Sequence, residues 1–572
     1  MNAIRSLVTI VAFSIAGIQG GEALSLPSAA TSSPTIHLGY ASYRGVYNAT
    51  TGLNVWKGIR YAHPPTGPHR WRAPSPPALS WAGILDANSP GSACPQAVPR
   101  PFSGAAPGNE DCLFLNVFAP KEAGKEGLPV LVYIHGGGYA SGDASQDMSE
   151  ILKANDNGFI AVVIQYRLGA FGFLSSEDVK ADGVANAGIL DMAFALKWVQ
   201  AHIGKFGGDP KRVTISGESA GAGGVMLLGI AKGGSLGTSL FRNSITASPY
   251  LSPQYDYNAS VPTQRYVAFA SEAGCGESTN ILACLRGKDS ATLQAANTAV
   301  NAAAFYGGLA FLPVTDYDFI ASRPSKALAD KRVNGQNILV GNNANEGTIF
   351  VPPTISTADD VESWVRSTFP ELDNALVRQI LDAYPSNNVS NVKFATSGLG
   401  SVTALDVSEF AIGQQQRANN IYAEATFICP SYWLNDAYTT SGRRSYHYQY
   451  SVTGGLHTDD IPGYFGPALP NQSPAFTTVF RRIWGKFIDS AAPESAVGTW
   501  PAWTEGGSSQ LLNLNTTGGT PYSRTIINGQ SITEFQEPGI VNNFSIANAK
   551  TWEGNRGERC DFWKKIAEEV SM

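Results

Sequence analysis

Charge is scarce in this sequence. Asp, Glu, Lys and Arg make up 15% of its 572 residues, and the net charge is −6. No run of Lys and Arg stands out, so the electrostatic footprint of a nucleic-acid binder is missing. Metal-binding spacing is missing as well. Neither H-E-x-x-H nor a paired C-x-x-C occurs, and no metal or cofactor is expected. There is no low-complexity block, no internal repeat and no linker. Length alone suggests several domains. The even spread of Gly and Pro predicts instead one large domain elaborated by insertions.

The apolar run Leu7 to Ile18 is too short to span a bilayer. It follows Arg5 and precedes Gly21-Glu22-Ala23, the pattern of a secretory signal with a small-x-small cleavage site. Residues 1–23 are therefore expected to be a signal peptide and 24–572 the folded chain. The closing stretch from Lys564 to Met572 lacks the hydrophobic tail of a lipid-anchor signal. A soluble, extracellular product with no stable membrane anchor is expected. Six cysteines suit that compartment, although counting leaves their pairing open. Sequons at Asn48, Asn258, Asn388, Asn471, Asn515 and Asn543 are glycosylation candidates wherever the asparagine is exposed.

What the sequence does contain is Gly217-Glu218-Ser219-Ala220-Gly221. It follows the β-prone run Lys211 to Ser216 and leads into small residues able to open a helix. That is the context of a nucleophile elbow, a sharp strand-to-helix turn carrying a serine. Upstream, the apolar run Leu128 to Ile134 reads as a buried parallel strand. His135-Gly136-Gly137-Gly138 follows it. Acyl transfer needs unshielded N–H donors for an oxyanion, and Gly137, Gly138 and Ala220 are the candidates.

A serine of this kind needs a base, and the chain has only seven histidines. His37, His63 and His69 fall in an N-terminal arm placed before the sheet. His135 belongs to the glycine loop, and His202 ends a helical stretch. His447 lies in an alternating, strand-like segment. His457 follows that strand on a loop after Gly454-Gly455, where a base can be presented. The acid should lie between Ser219 and His457. Glu346 follows the strand-like Asn337 to Gly341, and carboxyl ends of parallel strands gather catalytic groups. Asp316 and Asp318 are the alternatives, read as structural.

With these residues placed, the chain resembles the type-B carboxylesterase/lipase family, which includes the cholinesterases and secreted fungal lipases. The motifs that carry the resemblance run in one order. They are Gly58 to Gly67, Glu110 to Asn116, the glycine loop after His135, Tyr166 to Leu174, the elbow, Asn345-Glu346-Gly347, and the segment from His457 to Gly466. The resemblance implies an α/β-hydrolase fold, with a large mixed but mostly parallel sheet flanked by helices. It implies a triad of Ser219, Glu346 and His457 and a small-molecule ester substrate. It also implies disulfides Cys94–Cys112, Cys275–Cys284 and Cys429–Cys560, and buried ion pairs Arg70–Glu110 and Arg167–Asp191.

There are departures from that pattern. The Cys94–Cys112 loop holds no tryptophan, so the cation–π platform that cholinesterases use for choline is missing. Phe102 is its only aromatic residue. The loop is short and proline-rich, which favours an esterase for soluble esters over a lid-gated lipase. Oligomeric state is left open. A catalytically dead adhesion homologue is disfavoured because the serine, acid, base and glycines are all present.

Overall fold

The structure is a computed structural model that describes residues 33–102, 108–121, 127–385, 408–440, 442–494, 497–506 and 509–572. The expected signal peptide, Asn388 and part of the Cys94–Cys112 loop lie outside the described residues.

One eleven-stranded sheet organises the chain. Near its centre lies the strand Leu128–Ile134, flanked in parallel by Ile160–Ile164 and Gly208–Glu218. Parallel pairing continues outward through Asn243–Ala247, Asn337–Asn343, Arg444–Tyr450 and Gln510–Leu514. The edges are antiparallel. Phe114–Pro120, Leu53–Arg60 and Val46–Asn48 close one side, and Ser545–Asn548 closes the other. This is the α/β-hydrolase architecture expected from the sequence.

The central strands are continuous runs of β-branched and aliphatic residues because helices cover both their faces. Along Leu128–Ile134 the side chains alternate. Val130, Val132 and Ile134 enter one apolar core with the helices Ala187–His202 and Ala220–Ile230. Leu131 and Tyr133 enter a second core with Pro474–Ser490. The period of two is the pleat itself. The sheet begins at Val46, earlier than the sequence reading supposed. His63 and His69 therefore lie after the strand Leu53–Arg60, inside the sheet's own connections.

Three disulfides join Cys94 to Cys112, Cys275 to Cys284 and Cys429 to Cys560. The last fastens the helix Trp552–Lys565, whose Cys560 and Trp563 are buried. Arg70 meets Glu110 at 2.6 Å, and Arg167 meets Asp191 at 2.7 Å, both pairs out of solvent. Two of the glycosylation candidates are buried in the fold. Asn471 is 1% exposed and donates to the Thr453 carbonyl, and Asn515 is 7% exposed. Neither amide is open to a glycosyltransferase in the folded chain. Asn48, Asn258 and Asn543 are exposed.

An element absent from the sequence reading completes the molecule. Between Gln510–Leu514 and Ser545–Asn548 the chain leaves the sheet as a two-stranded hairpin, Thr516–Thr525 with Ser531–Asn542. Its tip returns over the carboxyl end of the sheet.

Candidate active site

Ser219 occupies the turn between the strand Gly208–Glu218 and the helix Ala220–Ile230, with φ 56° and ψ −124°. Positive φ is costly for a residue with a Cβ and persists only where its surroundings enforce it. Here the glycines make that possible. A Cβ on Gly217 would fall 2.3 Å from the Gly221 carbonyl carbon, and one on Gly221 would fall 2.1 Å from the Ile134 oxygen. The strand, the turn and the helix can approach so closely only without side chains.

The strand Arg444–Tyr450 ends short of His457, and a turn from Gly454 to Asp460 carries the imidazole back across the sheet. His457 Nε2 lies 2.8 Å from Ser219 Oγ, and its Nδ1 lies 2.5 Å from Glu346 Oε2. The other Glu346 oxygen accepts from the Ser248 hydroxyl and from the Asn343 N–H, each at 2.6 Å. Glu346 is fully buried, so these donors are what keep its charge tolerable. Phe427 and Phe350 lean on the imidazole at 4.5 and 5.1 Å between ring centroids.

Two further carboxyls lie close by. Burial first, and then the charges of Asp460 and Glu346, push Glu218 well above the usual carboxylate range. Its Oε1 sits 3.4 Å from His457 Nε2. Burial also pushes Asp460 up to about 7, against an Asn343 hydrogen bond and with help from Glu346.

Gly137, Gly138, Ser219 and His457 share one cavity of about 460 Å³. Among the described residues, no protein acceptor takes the N–H of Gly137, Gly138 or Ala220. These three groups are free to receive an anion. The remaining histidines and acids go elsewhere. His135 stacks on Tyr166, and burial lowers its pKa to about 4. His447 is held between Asn435 and Asn342. Asp316 binds Asn186, and Asp318 pairs with Lys232 at the surface.

Such a line of hydroxyl, imidazole and carboxylate can activate an oxygen nucleophile, and free N–H groups beside it can hold the resulting oxyanion. Sequence reasoning missed Ser248, Asp460, Phe350 and Phe427. Ser248, Phe350 and Phe427 reach the site from segments that carry no motif, and Asp460 lies in the segment from His457 to Gly466 without standing out there.

Comparisons with known proteins point to one family. Residues 32–527 match the model described as the carboxylesterase family. The chain is 30% identical to "Secreted lipase 1" of Botryotinia fuckeliana, over 84% of this chain and 89% of that one. It is 35% identical to "Para-nitrobenzyl esterase" of Bacillus subtilis, over 60% of this chain and 70% of that one. Among solved structures, Aspergillus niger EstA superposes with a TM-score of 0.76 at 28% identity, covering 95% of this chain and 99% of that one.

Proposed function

Because the chain belongs to the carboxylesterase family and is a carboxylic ester hydrolase, we propose that it is a secreted serine esterase working through Ser219, His457 and Glu346. The observation that carries this reading is the unbroken line from Ser219 Oγ to His457 Nε2 at 2.8 Å and from His457 Nδ1 to Glu346 at 2.5 Å.

In the proposed cycle, Ser219 Oγ attacks the ester carbonyl and gives its proton to His457 Nε2. The N–H groups of Gly137, Gly138 and Ala220 hold the tetrahedral oxyanion. Glu346 keeps the imidazole in the right tautomer and stabilises the imidazolium. His457 then protonates the leaving alcohol. Water, activated by the same imidazole, releases the acid from the acyl-enzyme. The substrate is a small ester. Secretion is supported by the leader-like N-terminal sequence, by the three disulfides and by relatives named as secreted. Among the described residues, no helix is long and apolar enough to cross a membrane.

Ser219→Ala tests this reading. Losing the nucleophile of a comparable triad costs on the order of 10⁶ in kcat. A fluorophosphonate should label the native protein at Ser219 and leave the variant unlabelled. Turnover above a few per cent in pure Ser219→Ala would show that another serine acts.

Relatives named as lipases favour a second reading, triacylglycerol hydrolysis. An esterase should show no jump in rate as a triglyceride passes its solubility limit, and a lipase should. We favour the esterase, with short to medium acyl chains. The Cys94–Cys112 loop offers only Val98, Phe102 and a few small residues to an oil surface, where each apolar Å² transferred is worth roughly 25 cal/mol.

A further inference from the structure

The hairpin described above covers part of the proposed catalytic cavity. Its tip is held by Ile526 N–H to the Gln530 carbonyl at 2.8 Å and by Gly529 N–H to the Ile526 carbonyl at 2.9 Å. From that tip Ile526 and Ile527 reach into the cavity that holds Ser219 and His457. Ile526 and Ile532 are buried in a small apolar cluster with Leu456, Ile349 and Phe410. Ile527 stays 53% exposed, at the cavity's edge. A large aliphatic side chain left half in water beside a reactive serine gains most when an apolar ligand covers it.

The hairpin is tied to the turn that carries the base. Arg524 donates to both oxygens of Asp459, at 3.0 and 2.8 Å, and also to Glu534 at 3.0 Å. Asp459 accepts the Leu456 N–H at 3.0 Å and so spans the residues on either side of His457. Gln530 donates to the Phe410 carbonyl from the other side at 3.1 Å. The tip therefore sits over the His457 side of the cavity.

The side beside the glycine loop is built differently. A Cβ on Gly138 would lie 2.6 Å from a Leu309 methyl, so Leu309 presses on the oxyanion glycines. Leu309 and Tyr250 also line a second cavity of about 290 Å³ behind them.

The two halves of an ester must divide between these sides. The carbonyl oxygen goes to Gly137, Gly138 and Ala220, and the leaving oxygen must come within reach of His457 Nε2 to be protonated. We infer that the hairpin tip selects the alcohol half of the ester, with Ile526 and Ile527 as the specificity-determining side chains, while the acyl half lies toward Leu309 and Tyr250. This inference rests on the triad proposed above. The hairpin favours esters of compact apolar alcohols and crowds bulky ones.

Two substrate series separate the halves. One holds the acyl group at butyrate and enlarges the alcohol from methanol through butanol and cyclohexanol to 2-naphthol. The other holds the alcohol at p-nitrophenol and lengthens the acyl chain from acetate to decanoate. In Ile527→Ala, the ratio of kcat/KM for the bulkiest to the smallest alcohol should rise by about ten-fold or more, as expected when an apolar wall loses several carbons. In Ile527→Trp the same ratio should fall. The slope of the acyl series should keep its wild-type value in both variants. A shift in the acyl series, or alcohol ratios within two-fold of wild type in both variants, overturns the inference. Ser219→Ala, run alongside, keeps the two proposals apart. If it retains turnover, the triad reading fails. If it is inert while the alcohol ratios stay put, only the role of the hairpin fails.

Discussion

Glu346, Glu218 and Asp460 are three acids within one buried neighbourhood, and their surroundings give them different work. Glu346 has two donors on one oxygen and the imidazole on the other. Glu346→Gln should therefore slow turnover less than His457→Ala, because the acid orients and stabilises while the imidazole moves the proton. Steady-state kcat for the two variants decides the point. A fully active Glu346→Gln would remove the acid from the mechanism. Asp460 makes a separate prediction about pH. Its folded pKa of about 7 lies above the unfolded value of roughly 3.9. The raised value contributes stability that is complete below the unfolded pKa and is lost as pH rises toward and through 7. Between pH 5 and 7, the Tm of Asp460→Asn should gain on that of wild type, and the gain should level off above about pH 7. A Tm difference that does not vary with pH would show that Asp460 is not held neutral. At this scale much was legible in the sequence. Ser219 and the glycines sit in contiguous motifs, and His457 and Glu346 follow recognisable strands. Ser248 was not legible, because a serine shows no local pattern when its partner lies on another strand. Asp460 lies in the segment from His457 to Gly466, but nothing local tells that burial will raise its pKa.

Elements differ in how openly the sequence declares them. Leu128–Ile134 and Ile160–Ile164 declare themselves by unbroken apolar runs, since burial on both faces demands them. The hairpin strand Thr516–Thr525 gives no such signal. Its Thr, Gly and Pro residues are mostly exposed or half exposed, and its anchor Arg524 finds Asp459 65 residues upstream. The short Cys94–Cys112 loop is not expected to act as a lid, and the sequence names no other cover. That loop does contribute Val98 and Phe102 to the cavity, but the hairpin is its partner in covering it. Arg524→Ala would leave Asp459 and Glu534 facing each other without a cation. Bonds between charged partners contribute roughly 1.5–3 kcal/mol. Because Arg524 is part exposed, the free energy of local opening should fall toward the lower end of that range. Hydrogen exchange should quicken in 516–542 and, through Asp459, in 454–460, while the helix Ala220–Ile230 keeps its protection. Unchanged exchange in both segments would show that Arg524 is not the latch.

Across the whole molecule, the long-range staple matters more than the local ones. Cys429–Cys560 closes 131 residues, against 9 for Cys275–Cys284. In the chain-entropy view a longer closed loop restrains the unfolded chain more. Replacing Cys429 and Cys560 together by alanine should cost about 2–5 kcal/mol in denaturant melts, and more than the matching change at Cys275 and Cys284. An equal or smaller loss would place the value of the bridge elsewhere. Glycosylation also belongs to this scale. A sequon is a local pattern, whereas the burial of Asn471 and Asn515 is created only by the assembled fold.

The order of strands across the sheet also sets a clock. Ser219 and its imidazole are 238 residues apart. A chain emerging at about 5–20 residues per second carries its serine for on the order of 10–50 seconds before His457 has been made. The roof over the cavity emerges later still. On the proposed triad, the nascent chain carries its nucleophile without a base for that interval. Ribosome-bound chains stalled before His457 should take up no fluorophosphonate, whatever the state of the elbow they already carry.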